Sequence, residues 1–170
     1  MEEGKNPLIE NAAGSYDASE RLFDFLVEQG ETALVCESDS GAIENISTAL
    51  KRLDYAVNVA ESAEDALQKM RFHIFDVLIL HDDFDGQKGG ENLLKALELL
   101  DMSIRRKMFV VLVGDSFRTM DNMAAFHRSV NLVVHTGDLN ELAAIVKHGV
   151  QENKVFYHTF METLRNMGRI

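Results

Sequence analysis

The sequence predicts a doubly wound α/β fold built on a five-stranded parallel sheet, and three observations carry that expectation. Strand-like apolar runs and amphipathic helical segments alternate five times along the chain. The last three strand runs are continuously apolar, as strands covered by helices on both faces must be. The 170 residues, 46% of them hydrophobic, suffice for one compact domain with a substantial core.

Residues 1–18 hold the only proline, two glycines and little apolar periodicity, and read as a mobile lead-in. Residues 19–30 place Leu22, Phe23, Leu26 and Val27 on one helical stripe, with Asp17 or Ser19 as a cap and Gly30 as a stop. The main domain then spans 31–150. TALVCE opens it as a strand, and the helix GAIENISTALKRL follows with Ile43, Ile46, Leu50 and Leu53 at helical spacing. YAVNVA alternates in polarity, as an edge strand does. Ser62 and Asp65 form a capping pair ahead of Ala66, Leu67 and Met70. FDVLIL, the helix ENLLKALELL, MFVVLV, the helix TMDNMAAFHRS, NLVVH and the helix NELAAIVKHGV complete the repeat. The expected strand order is 2-1-3-4-5, a flavodoxin-like arrangement.

Residues 151–170 extend this domain as a further helix, with Phe156, Phe160, Leu164 and Met167 on one face and Lys154, Arg165 and Arg169 around it. An apolar helix there calls for a partner, either the N-terminal helix carrying Phe23 and Leu26 or a second copy of the chain in a homodimer.

A formal charge of −11 disfavours a nucleic-acid backbone or an anionic membrane as partner. Too few residues lie outside the domain for a helix-turn-helix output module. The lone Cys36 cannot close an intramolecular disulfide and reads as a small buried hydrophobe in an apolar strand. The apolar runs VLIL and FVVLV are far shorter than the roughly 18 residues of a membrane span, and the acidic start lacks the basic residues of a signal peptide. The expected setting is cytoplasmic. The glycines at 86, 89 and 90 do not make a phosphate-cradling loop.

In a sheet of this order, chemistry gathers beyond the carboxyl ends of the first and third strands, at Glu37 to Ser40 and His81 to Gly86. ESDS and HDDFDG are acidic clusters of the kind a hard divalent cation requires. From about Thr32 to Val150, these clusters, the FDVLIL peptide and the helix start ELAAI resemble the receiver (CheY-like) domain of bacterial two-component response regulators. The resemblance implies an acidic pair after the first strand that helps hold magnesium and an aspartate ending the third strand that accepts a phosphoryl group. It further implies a Thr or Ser ending the fourth strand and a Lys-Pro pair ending the fifth.

The chain departs from that pattern at several of these positions. Glu37 and Ser38 stand in place of the acidic pair, with Asp39 one position late. Five residues on from Asp76 the phosphoacceptor position falls on His81, whereas counting back from Gly90 it falls on Asp82. Gly114 or Asp115 replaces the switch hydroxyl, with Ser116 just beyond, and His135 and Thr136 replace the Lys-Pro pair. A largely neutral histidine does not supply the fixed charge of that lysine.

The resemblance therefore implies a degenerate receiver, not an enzyme, that acts on other signalling proteins without normal aspartyl phosphorylation. The contact surface would be the face of the fourth β-α helix and fifth strand, around which Met102, Met108, Met120 and Met123 cluster. A phosphorylatable receiver remains open, with Asp82 as acceptor, Mg2+ held by Glu37, Asp39 and Asp82, and His135 paired with Asp82 or Asp115. A small nucleotide-binding protein or enzyme on the same fold is the third reading.

Overall fold

The computed structural model describes residues 30–169. The expected lead-in and nearly all of the expected N-terminal helix lie outside that range. Five parallel strands form one sheet in the order β2-β1-β3-β4-β5. They are β1 (Thr32–Cys36), β2 (Ala56–Val59), β3 (Val77–His81), β4 (Phe109–Gly114) and β5 (Leu132–His135). The helices are α1 (Ser40–Lys51), α2 (Ala63–Phe72), α3 (Gln87–Glu98), the short α4 (Met102–Arg105), α5 (Asn122–His127) and α6 (Leu142–Asn166). The expected sheet order and alternation are thus those of the protein.

Strand side chains alternate between two apolar layers, as the period of two along a strand dictates. Leu34, Leu78, Leu80, Val110 and Leu112 meet α2, α3 and α5 on one side. Val35, Val77, Ile79, Val111 and Val134 meet Ile46 and Leu50 of α1 and Leu142, Ile145 and Val146 of α6 on the other. Each central strand is therefore buried on both faces, which explains the unbroken apolar runs. β2 is one of the two edge strands, and its Asn58 is only partly covered.

Helix starts follow the capping residues. Asp39 caps α1 by accepting from the Ala42 N–H at 2.7 Å. Ser62 caps α2 by accepting from the Asp65 N–H at 3.1 Å, as its spacing suggested. Asp121 caps α5, accepting from the Met123 and Ala124 N–H groups.

Sequence periodicity did not reveal α4, four residues between α3 and β4. Its Arg105 donates to the Met108 and Ser129 carbonyls and to Asn131 Oδ1, which also accepts from the Val110 N–H. This guanidinium ties the starts of β4 and β5 together. Burial pulls its pKa down, so the charge is held by its hydrogen bonds against desolvation.

The extension expected after residue 150 is continuous with the helix before it, since α6 runs 25 residues without a break. A Cβ on Gly149 would lie 2.8 Å from the ring of Phe109, the first residue of β4. The helix thus passes the N-terminal end of the sheet at that point. The remaining 17 residues of α6, about 25 Å at ~1.5 Å per residue, project beyond the sheet. Among the described residues no helix is long and apolar enough to cross a membrane.

Candidate functional site

The parallel register brings the ends of β1, β3, β4 and β5 to one edge. Cys36 pairs with Leu80, His81 with Val113, and Gly114 with His135. His81 is the last residue of β3, and Asp82 follows it with its N–H donating to the Val113 carbonyl at 2.9 Å. A cleft of about 620 Å³ opens above this edge, lined by Glu37, Asp39, His81, Asp83 and Thr136 among others. No lysine or arginine is among its lining residues.

The acidic side chains of this edge are bound to their own loops. Glu37, 6% exposed, accepts from the N–H groups of Ser38 at 2.7 Å and Asp39 at 3.0 Å. Asp39 is committed to the α1 cap. Asp85, held in the left-handed region at φ 55°, accepts from the Ala63 N–H at 2.9 Å and so fastens the β3–α3 loop to α2. Phe84 anchors the same loop from below, 1% exposed in the apolar layer.

Asp82 leaves the cleft and packs against the end of β4. A Cβ on Gly114 would lie 2.5 Å from Asp82 Oδ2 and 2.9 Å from the Phe117 ring. The carboxylate therefore fills the volume that any side chain at 114 would need. Glycine at position 114 and the turned aspartate are two halves of one packing arrangement. Burial raises the Asp82 pKa, Asp83 and Asp115 add repulsion, and His81 opposes the shift. His81 Nδ1 stands 3.3 Å from Asp82 Oδ1 and accepts from the Asp83 N–H at 3.1 Å.

His135 does not reach Asp82 or Asp115, contrary to the pairing expected from sequence. Its Nδ1 accepts from the Gly137 N–H at 2.9 Å, because the chain turns at once into a 3₁₀ helix over Thr136–Glu141. Asp115 instead accepts from the Thr136 hydroxyl. The Thr119 hydroxyl accepts from the His135 N–H at 2.9 Å, and the Met120 N–H donates to the Val133 carbonyl, so the β4–α5 loop lies along the outer edge of β5.

Glu37, Asp39 and Asp82, the carboxylates expected to hold magnesium, thus point to three different sets of partners. Among the described residues no group of three or more His, Cys, Asp or Glu is arranged to hold a metal ion. Cys36 is buried in the sheet, and burial pushes its thiol pKa up, which leaves the unreactive thiol form. Sequence reasoning missed Phe84, Asp85 and Thr119. The alternation of apolar Phe84 within HDDFDG was the one available signal for the first.

No family model matches the sequence, and no curated protein matches it. Solved structures do. A provisionally assigned response regulator of Chloroflexus aurantiacus is 22% identical with a TM-score of 0.60, the match covering 72% of this chain and 99% of that one. A CheY-like response regulator receiver domain protein of Methanospirillum hungatei is 18% identical with a TM-score of 0.58, covering 73% and 96%. The chemotaxis response regulator CheY4 of Vibrio cholerae is 16% identical with a TM-score of 0.59, covering 71% and 98%. With the strand order and the helices on both faces, these likenesses show that the chain has the fold of CheY-like response-regulator receiver domains.

Proposed function

We propose that the protein is a cytoplasmic signal-transduction module of the receiver type that works through protein-protein contacts and has no aspartyl phosphorylation switch. The observation that carries this reading is the Asp82 carboxylate packed into the space above Gly114. A receiver's switch needs a hydroxyl at that place to follow the phosphoryl group, and here a carboxylate fills it. In this reading His81 stands at the acceptor position and His135, turned to its own loop, stands in place of the lysine. A phosphoryl group entering the cleft would meet Glu37, Asp39 and Asp83 and no lysine or arginine, so charge repulsion opposes it.

Contact with other signalling proteins falls to the α5 and β5 face. Met123 and Phe126 of α5 are 65% and 77% exposed, and Met120 lies beside them at φ 63° on the loop that borders β5. Large apolar side chains grouped in this way are a feature of binding surfaces, and methionine adapts to more than one partner.

The test is incubation of the protein with acetyl phosphate and magnesium, followed by intact mass spectrometry. The expected result is no phosphoryl adduct. A magnesium-dependent adduct that disappears in Asp82→Asn would overturn the reading and make Asp82 the acceptor, with Glu37 and Asp39 as the groups that hold Mg2+.

A further inference from the structure

The N-terminal end of the sheet carries a second concavity, of about 380 Å³, between the strand starts and α6. The buried Tyr55 and Phe109 and the half-buried Tyr157 and Met161 give it apolar walls. Arg106, Lys107, Lys154 and Arg165 line the same groove, in a protein whose net charge is −11. Its two carboxylates are bonded within the chain. Glu31 accepts from Lys154 Nζ at 2.9 Å, and Asp76 accepts from the Thr32 N–H at 2.7 Å and the Thr32 hydroxyl at 3.3 Å. The Arg106 guanidinium stacks on the Phe160 ring at 4.5 Å from its centroid. Among the described residues Lys107 and Arg165 have no ion-pair partner.

The basic surface runs on past the groove. Lys147, Lys154, His158 and Arg165 follow one another at intervals of seven, four and seven residues, so at ~3.6 residues per turn they share one side of α6. All four are exposed, and the lane they form is about 27 Å long at ~1.5 Å per residue. One acid borders it closely, Glu162, at 3.5 Å from His158 Nδ1. A compact anion would fill the groove and leave the ends of the lane unused. The charge of the whole protein opposes a nucleic acid or an anionic membrane. A protein helix whose carboxylates recur at helical spacing fits the length of the lane, and its apolar face fits the groove at Tyr157 and Met161.

We infer that the groove and the α6 lane bind an acidic amphipathic helix of a partner protein, its carboxylates beside Lys107, Lys154, His158 and Arg165 and its apolar side chains on Tyr157 and Met161. Lys107 and Arg165 have no existing ion pair to release when they take up these carboxylates, and salt weakens contacts between charges so exposed. The surface is separate from the α5 and β5 face, and binding there does not depend on whether Asp82 is phosphorylated.

The test is titration of the 15N-labelled full chain with a synthetic acidic peptide carrying Glu and Leu at helical spacing, and with its counterpart in which every Glu is Gln. The Glu peptide is expected to give saturable shifts at the amides of Lys107, Lys154, His158 and Arg165, weakening as salt is raised, while residues 37–40 and 81–86 stay in place. The Gln peptide should bind at least about tenfold more weakly. A similar loss is expected for the Glu peptide with Lys107→Glu combined with Arg165→Glu, two exposed positions outside the core, and a smaller one with Arg165→Gln alone. Absence of shifts, equal binding of the two peptides, or unchanged affinity in the double variant would overturn the proposal. So would tighter binding to vesicles of anionic lipid than to the Glu peptide, which would assign the lane to a membrane surface. A dimeric sedimentation mass that the double variant abolishes would also overturn it and assign the groove to a second copy.

Discussion

The two ends of the sheet differ in how their polar groups are satisfied. At the carboxyl end Glu37, Asp39, Asp85 and His135 each accept hydrogen bonds from backbone N–H groups of nearby turns and helix starts. At the opposite end Lys107 and Arg165 stand over a groove, beside an apolar helix that runs beyond the strands. The first end is a closed system whose side chains hold its own loops in place. At the second, Lys107 and Arg165 have no ion-pair partner among the described residues. Under the proposed reading, the loop anchors of the first end stand where a phosphorylation switch would need free ligands.

The largest expected effect comes from loosening the closed end. Phe84→Ala removes a buried ring beneath the β3–α3 loop and should cost about 3–5 kcal/mol in urea denaturation. If the loss is small, the loop is not anchored from below and the contrast between the two ends weakens.

Next comes the packing of Asp82 on Gly114. Gly114→Thr places a hydroxyl side chain at this position, but its Cβ alone would stand 2.5 Å from Asp82 Oδ2, and a loss of about 1–3 kcal/mol is expected. Combined with Asp82→Gly, the same substitution should cost far less than the sum of the two changes, a coupling that a double-mutant cycle reads directly. Additive losses would show that the two positions are independent.

A smaller effect is expected from Asp82→Asn. Burial raises the Asp82 pKa above its ordinary value of 3.8, so the folded state holds this proton more tightly than the unfolded chain does. The stability that Asp82 contributes is full below that ordinary value and is lost as pH rises through the raised one. Asparagine should therefore stabilise the protein at pH 7, by less than about 1 kcal/mol, and flatten the stability profile above pH 4. The smallest change is Lys154→Ala. This exposed pair with Glu31 should alter global stability by less than about 0.5 kcal/mol, detectable as earlier hydrogen exchange at the start of β1.

The fold was legible because its signals are repetitive. Continuous apolar runs identified the doubly covered strands, Asn58 marked the edge, and Ser62 with Asp65 marked a helix start. The site was less legible because it depends on a single turn. Two counts placed the acceptor position on His81 or on Asp82, and nothing in a one-dimensional pattern tells which way a side chain leaves the strand end. The expected contact of His135 with Asp82 or Asp115 failed for the same reason, since a 3₁₀ turn directly after β5 draws the imidazole to the Gly137 N–H. Arg105 escaped notice because four residues of helix are too few to show a period, although its hydrogen bonds join two strands.

The most direct test of the central claim is the amide NMR spectrum of the full chain with magnesium and then beryllofluoride, which mimics a phosphorylated aspartate. The account expects no saturable shifts at residues 37–40, 81–86 and 114–116. Magnesium-dependent, saturable movement of those peaks, followed by the amides of α5 and α6, would contradict it and restore a conventional switch centred on Asp82.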